Sequence, residues 1–337
     1  MNLDKLKDIL QLYPVYRLKQ AYRAVFCHLA ESWDEVSSLP KNLRKILKKE
    51  CPLEIKSEIK ESRDGKTAKA IVFFKDGNAV EAVLMRHRDG RNTICISSQV
   101  GCPLGCLFCA TGKSVFRRNL TDSEIVEQVI LFARFLKKQS QKITNIVFMG
   151  MGEPFLNYEN VLKAIKIINE KDGLNIGARH ISISTVGITE GIKKLSEQNL
   201  QINLAISLHA PNDRLRSKIM RVNKKYSIEK ILKEVSAYID KTNRRVMFEY
   251  IMIKDFNDSI SMADGLANLL KVFNKSLYFV NLINYNPTGN FEPSPAARIK
   301  KFKEILESKD IKVTERFRFG AKIEAACGQL AGKTVFC

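Results

Sequence analysis

The sequence predicts an α/β protein: a partial (βα)6 barrel, preceded by a small N-terminal helical accessory domain and a connecting β-hairpin. Three observations carry this reading. Between residues 93 and 315, short runs of strand formers alternate six times with segments of helical period. Residues 16–31 place Leu18, Ala21, Val25 and Leu29 at near-helical spacing, and a second, basic helical stretch runs over 39–49. Between these regions, Asp76-Gly77-Asn78 separates two runs of strand formers, which is a hairpin signal. The implied organisation is a helical domain over 1–60, a hairpin connector over 61–92, a barrel core over 93–315 and a tail over 316–337.

Within the core, strands are expected at 93–97, 143–149, 180–184, 202–208, 246–251 and 277–283. Helices are expected between these strands and after the last, notably at 122–136, 158–168, 227–239, 259–273 and 295–306. Six such units imply a parallel sheet with its chemistry at the carboxyl ends of the strands. Strand parity adds a finer expectation. Ile94 and Ile96 oppose Cys95 and Ser97, Ile181 and Ile183 oppose Ser182 and Ser184, and Ile202, Leu204 and Ile206 oppose Asn203, Ala205 and Ser207, with His209 next on the polar side. If the large apolar faces meet the helices, the lumen is lined by small and polar groups. It then has room for a ligand, where a packed barrel would carry bulky branched side chains.

The chain has 337 residues, with 56 Lys plus Arg against 36 Asp plus Glu, a formal charge of +20, and is 45% hydrophobic. This excludes a disordered chain and makes a polyanion the first partner to consider. No apolar run reaches the roughly 18 residues of a membrane helix, and residues 1–10 alternate charges with leucines, so a soluble, cytoplasmic protein without a membrane partner is expected. Eight cysteines are too sparse for a disulfide scaffold, yet Cys102, Cys106 and Cys109 fall within eight residues. Their C-x-x-x-C-x-x-C spacing, with Gly101 and Gly105 letting the backbone wrap closely, brings three thiolates within reach of one centre. A structural zinc site would want a fourth ligand, and none lies close in sequence, although one from afar would serve. Three cysteines on a cubane cluster would leave one iron open for a substrate or cofactor.

The cysteine pattern, with Phe108 before its last thiol, resembles the signature of radical S-adenosylmethionine (radical SAM) enzymes, and Met151-Gly152-Glu153-Pro154 resembles their Gly-Gly-Glu segment. A closer resemblance spans nearly the whole chain. CISSQVGCPLGCLFCATG, FMGMGEPFLN, ISISTVGI, INLAISLHAPND, LINYNP and AACGQLAG are similar, in order, to blocks of the RlmN/Cfr family of RNA adenine methyltransferases. Pro154 favours the RlmN side, which methylates C2 of adenosine, over the Cfr side, which methylates C8. Val115 stands where a glycine is common, and Arg221 where a proline is common.

The resemblance implies a radical SAM barrel with one 4Fe-4S cluster on Cys102, Cys106 and Cys109, and two S-adenosylmethionine molecules per turnover. It implies cofactor contacts at Gly152, Glu153, Ser184, Ser207, Leu208, His209 and Asn286. One S-adenosylmethionine would methylate Cys327 in the tail; the second would yield the 5′-deoxyadenosyl radical that activates the methyl group for addition to C2. Cys95 would then release the product by forming a transient disulfide with Cys327, and Glu81 would act as the base at C2. From the residues alone, Cys95 reads first as a core thiol and Cys327 as a tail thiol, an order that the matched blocks reverse, while Glu81 reads equally as a carboxylate on a solvated hairpin face. Cys27, Cys51 and Cys337 match no block.

The implied partners are 23S rRNA near the peptidyl-transferase region, tRNA beside the anticodon, and a low-potential electron donor such as a flavodoxin-type protein; a monomer suits such substrates. Two basic belts fit phosphate contacts: 214–245 holds 11 Lys or Arg against three acids, and 298–322 holds nine against four. Arg117, Arg118 and Phe116 are further candidates for RNA contact, and the helical domain for RNA docking. A non-enzymatic, metal-stabilised RNA-binding protein is the alternative of another class.

Overall fold

The computed structural model describes residues 1–289, 291–317 and 319–331; Gly332 of the last block and Cys337 lie outside them. The chain begins as three short amphipathic helices, α1 (Leu3–Leu10), α2 (Tyr16–Tyr22) and α3 (Lys41–Glu50). α2 widens into a π turn over Arg23–Cys27, so the helix expected over 16–31 is shorter than its periodicity suggests. Leu3, Leu6, Leu10, Leu43, Leu47 and Trp33 bury their side chains in a core continuous with that of the barrel.

Three antiparallel strands follow: β1 (Ser57–Glu61), β2 (Thr67–Phe73) and β3 (Ala79–Arg86), the last two joined by the Asp76-Gly77-Asn78 turn. They do more than connect. β3 pairs antiparallel with β4 (Asn92–Cys95), so the hairpin covers what would otherwise be an open sheet edge. β1 was not legible because SEIKE is a charged edge strand with little burial.

A two-stranded ribbon, β5 (Gln99–Val100) with β6 (Arg118–Asn119), brackets the cysteine loop. The barrel then alternates α4 (Asp122–Lys137), β7 (Asn145–Phe148), α5 (Tyr158–Asn169), β8 (Ile181–Thr185), α6 (Thr189–Ser196), β9 (Asn203–Ser207), α7 (Asp213–Ile219), α8 (Ile228–Thr242), β10 (Val246–Met252), α9 (Ile260–Leu270), β11 (Tyr278–Asn284), α10 (Ala296–Glu307) and β12 (Val313–Glu315). Strands β4, β7, β8, β9, β10, β11 and β12 are parallel neighbours in that order. The seventh, three-residue β12 lengthens the six-unit pattern. Among the described residues β1 and β12 form the sheet's two ends, so the barrel is partial.

Local chemistry sets the helix starts. Thr121 and Glu124 form a capping box on α4, and Ser227 and Ser259 cap α8 and α9 with their side-chain oxygens. α4 also fastens the N-terminal helices: the buried Arg134 guanidinium donates to the carbonyls of Leu53 and Ala30, Ser123 Oγ accepts from Leu3 N–H at 3.1 Å, and Glu127 pairs with the terminal amine. No helix of the described residues is long and apolar enough to cross a membrane.

Candidate active site

The cysteine loop is folded by close backbone approach. Gly101 has φ +75°, and a Cβ there would lie 2.2 Å from the Val115 carbonyl oxygen. Ile219 at the end of α7 accepts from Leu107 N–H at 3.0 Å, which docks the loop on the barrel rim. Cys102, Cys106 and Cys109 all line one cleft of about 920 Å³, open mouth included, at the carboxyl ends of the strands. Burial pushes the Cys102 thiol up to about 12 and Cys106 well above its ordinary value. Buried thiols of this kind ionise when metal charge replaces the proton. Among the described residues no three His, Cys, Asp or Glu side chains close on a single-ion site. The three thiols instead share a wall of a cleft, as ligands to separate irons of one cluster would.

Opposite them, Gly152 has φ +98°, and a Cβ there would meet Gln99 at 2.6 Å, so the turn after β7 accepts only glycine without strain. That turn aims Glu153 into the cleft. Its Oε2 accepts from Val186 N–H at 2.9 Å and its Oε1 from Phe155 N–H at 3.1 Å. Burial nevertheless raises the carboxyl to about 7, against the pull of those donors. A buried carboxylate so placed suits a cationic partner such as an amino group.

The parity expectation holds on the far wall. Ser184 and Ser207 both face the cleft, 3.3 Å apart between hydroxyls, and Ser184 Oγ donates to Glu249 Oε2 at 2.9 Å. His209 follows at φ +61°, a left-handed conformation unusual for a side-chain-bearing residue. Its Nδ1 accepts from Ile251 N–H at 3.2 Å, leaving Nε2 to carry the proton. Burial, reinforced by the Arg216 charge, lowers its pKa to about 3, so it works as a neutral imidazole. Leu208 differs from these neighbours: its side chain is buried away from the cleft, and its carbonyl accepts from Arg216.

A second, smaller cavity, about 550 Å³ with its open mouth included, adjoins the cleft, and Cys327, Leu330, Met149 and Ile283 line both. Cys95, at the end of β4 and opposite Val83 of β3, lines this second cavity beside Cys327 and Arg316. Cys95 is buried and Cys327 is exposed at the junction. Burial, then the neighbouring Cys327, push the Cys95 thiol up to about 12, while Arg316 pulls the other way. Arg316 pairs with Glu249 at 3.4 Å. Asn286 also lines the second cavity and is not part of the cleft wall; it donates from Nδ2 to the Cys327 carbonyl at 3.0 Å, and its buried Oδ1 has no partner.

The tail that carries Cys327 is tied to the cysteine loop. Ala110 N–H donates to Gly328 O at 2.7 Å, Ser114 Oγ to Ala331 O at 2.9 Å, and Thr111 Oγ1 to Leu330 O. Glu81 is buried on β3, on the same face as the cavity-lining Val83 and Met85. Its carboxylate takes Lys69 Nζ at 3.3 Å and Ala331 N–H at 3.1 Å. It is therefore engaged by the tail and is not among the cavity-lining residues.

Glu249, Arg216 and Arg316 escaped the sequence reading. Glu249 had a signal, a carboxylate on the cavity side of the otherwise apolar strand β10; the two arginines had none, because they merged into basic belts. Arg216 is fully buried, Arg316 faces the second cavity, and Arg118 is held between Asp76 at 2.6 Å and Glu124 at 2.7 Å. These three are corrections to the phosphate-contact set, whereas Arg117 and Phe116 are exposed.

A three-cysteine loop after the first parallel strand of a partial barrel, facing a glycine-glutamate turn after the second, defines the class. The model of the radical SAM superfamily matches residues 96–263. Over 98% of this chain and 94% of its own length, the probable dual-specificity RNA methyltransferase RlmN of Dictyoglomus thermophilum is 46% identical. The probable RlmN of Streptococcus pyogenes serotype M5 is 41% identical over 95% of this chain and 90% of its own. The crystal structure of a radical SAM methyltransferase from Sphaerobacter thermophilus superposes with a TM-score of 0.94 at 40% identity, covering 99% of this chain and 98% of that one. The chain belongs to the RlmN family of radical SAM RNA methyltransferases. Membership implies a 4Fe-4S cluster and S-adenosylmethionine, and the three thiols, the Gly152 turn and Glu153 fit them.

Proposed function

We propose that this enzyme methylates C2 of adenosine in 23S rRNA and beside the tRNA anticodon, with Cys327 as methyl carrier and Cys95 as resolving thiol; two RNA substrates accord with the dual specificity in its relatives' names. The observation that carries the reading is the position of Cys327, shared between the cofactor cleft and the cavity that holds Cys95.

Adenine C2 is neither nucleophilic nor bears an acidic hydrogen, so polar methyl transfer is closed to it. The cluster and S-adenosylmethionine, two molecules per turnover, supply the methyl group and the one-electron chemistry. Cys102, Cys106 and Cys109 hold the cluster. Glu153 receives the methionine ammonium, and Ser184, Ser207 and His209 with the Gly152 turn orient the rest of the cofactor. Asn286 fixes the Cys327 main chain. Cys327 carries the methyl group as a thioether and becomes linked to RNA through that carbon; the hydrogen atom lost from the methyl group, and the one electron set free when the C2 hydrogen leaves as a proton, would be taken up by the one-electron chemistry that the cluster and S-adenosylmethionine supply. Glu81, released from Ala331 as the tail shifts, takes the C2 proton. Cys95 attacks the Cys327 sulfur, the S–C bond breaks with its electron pair going to carbon, and that carbon gains a proton to become the product methyl. The two thiols end as a disulfide, which an external thiol must reduce before the next cycle. A low-potential donor of the flavodoxin type, a cytoplasmic setting and a monomeric enzyme complete the reading.

Nucleoside mass spectrometry of RNA methylated by the reconstituted enzyme tests it. The expected product is 2-methyladenosine in both RNAs. 8-Methyladenosine would make it a Cfr-type enzyme, and RNA binding without any methylation would make it a binding protein.

A further inference from the structure

Arg216 lies in a helix whose other basic residues, Arg214 and Lys218, are exposed, yet it is itself fully buried. All five of its N–H donors are used. Nε donates to Leu208 O at 3.0 Å, Nη2 to Val186 O at 2.5 Å and Ser207 O at 3.1 Å, and Nη1 to Asn223 Oδ1 at 2.7 Å and Tyr226 O at 3.1 Å. None of these hydrogen-bond partners is a carboxylate: the donors of a buried cation all go to carbonyl and amide oxygens, and its charge acts on Cys106 and Asp213 without a hydrogen bond to either side chain. Such a group is costly to bury and is retained where its geometry is needed.

The oxygens belong to the segments that build the cleft. Val186, gripped through its carbonyl, donates its own N–H to Glu153 Oε2 at 2.9 Å. Ser207 and Leu208, gripped at the end of β9, immediately precede His209 and its left-handed turn. The same helix holds the cysteine loop through the Leu107 N–H to Ile219 O bond at 3.0 Å. One planar fork thus sets the spacing between the Glu153 side of the cleft and the Ser207–His209 side. Lysine, with three donors around one point, cannot span these directions.

We propose that Arg216 is a positioning residue for S-adenosylmethionine: it clamps the ends of β8 and β9 at the separation the cofactor requires, and it takes no part in RNA binding. The inference rests on the cofactor reading of the cleft.

The test measures S-adenosylmethionine affinity of the cluster-loaded protein by equilibrium dialysis without reductant, and RNA affinity by filter binding. Arg216→Lys should weaken S-adenosylmethionine binding at least tenfold and leave RNA affinity within twofold. Arg216→Ala should lose cofactor binding and regain part of it in millimolar ethylguanidinium, but not in methylammonium. If the Arg216 variants do not fold, Asn223→Ala, which removes one acceptor outside the cleft, should weaken the cofactor twofold to fivefold with RNA affinity unchanged. Glu153→Gln separates the two claims. If it binds S-adenosylmethionine like wild type, the cofactor reading itself fails. If it weakens binding while Arg216→Lys, or its Asn223→Ala substitute, does not, only the Arg216 inference is overturned. Equal loss of cofactor and RNA affinity in Arg216→Lys, or no guanidinium rescue, also overturns it.

Discussion

Glu153 illustrates how a functional carboxylate weighs on stability. Its folded-state pKa is raised from the ordinary 4.5 to about 7 by burial. The folded state therefore holds the proton more tightly than the unfolded chain, and the stabilising contribution, full below about 4.5, is lost as pH rises through 7. The melting temperature of the cofactor-free protein should fall between pH 5 and 7.5, and Glu153→Gln should flatten that decline while abolishing cofactor binding. Equal pH slopes in the two proteins would contradict this. Cys95 gives a second residue-level expectation. With its thiol near 12, the thiolate fraction rises about tenfold per unit between pH 7 and 9. RNA release from the Cys327 adduct, followed by rapid quench, should accelerate correspondingly, whereas a flat profile would exclude thiolate attack by Cys95. Parity made Cys95, Ser184 and Ser207 legible as lumen residues. Glu249 stood out locally as a carboxylate in an apolar strand, but its pairing with Arg316 across the sheet, from β10 to the segment after β12, is a relation that no local pattern encodes.

At the scale of elements, the tail and the cysteine loop form one unit. Thr111 and Ser114 hold the carbonyls of Leu330 and Ala331 from the loop side, while Glu81 holds Ala331 N–H from the sheet side. Replacing Thr111 by Val together with Ser114 by Ala should raise tail cleavage in limited proteolysis several-fold and slow methylation of Cys327, with cluster content unchanged. An unaltered cleavage rate would show that these bonds do not hold the tail. The long amphipathic helices and the apolar strands were legible because period and burial agree in them. β1, β12, α6 and α7 were not, since each is short or polar and owes its form to the elements beside it.

Across the whole molecule, the excess of +20 overstates the charge available to RNA. Arg216 is used internally, Arg316 and Arg298 are paired with acids, and Arg118 is shared by two carboxylates. RNA affinity should still fall steeply with salt. Arg117→Ala should lower the slope of log K against log salt by about one, and Arg216→Lys should leave it unchanged. Equal slopes for wild type and Arg117→Ala would remove that residue from the contact surface. The fold class was legible because six strand and helix alternations need no long-range information. The merging of the N-terminal helices into the barrel core through α4 was not, because it depends on contacts such as Arg134 with Ala30 and Leu53.

The most direct test of the cysteine relay is mass spectrometry of Cys95→Ala after reaction with RNA and S-adenosylmethionine, digested with nuclease and protease. The relay requires an adenosine joined through one carbon to Cys327, an adduct absent from Cys327→Ala. Normal turnover by Cys95→Ala with no adduct, or an adduct on another residue, would contradict it.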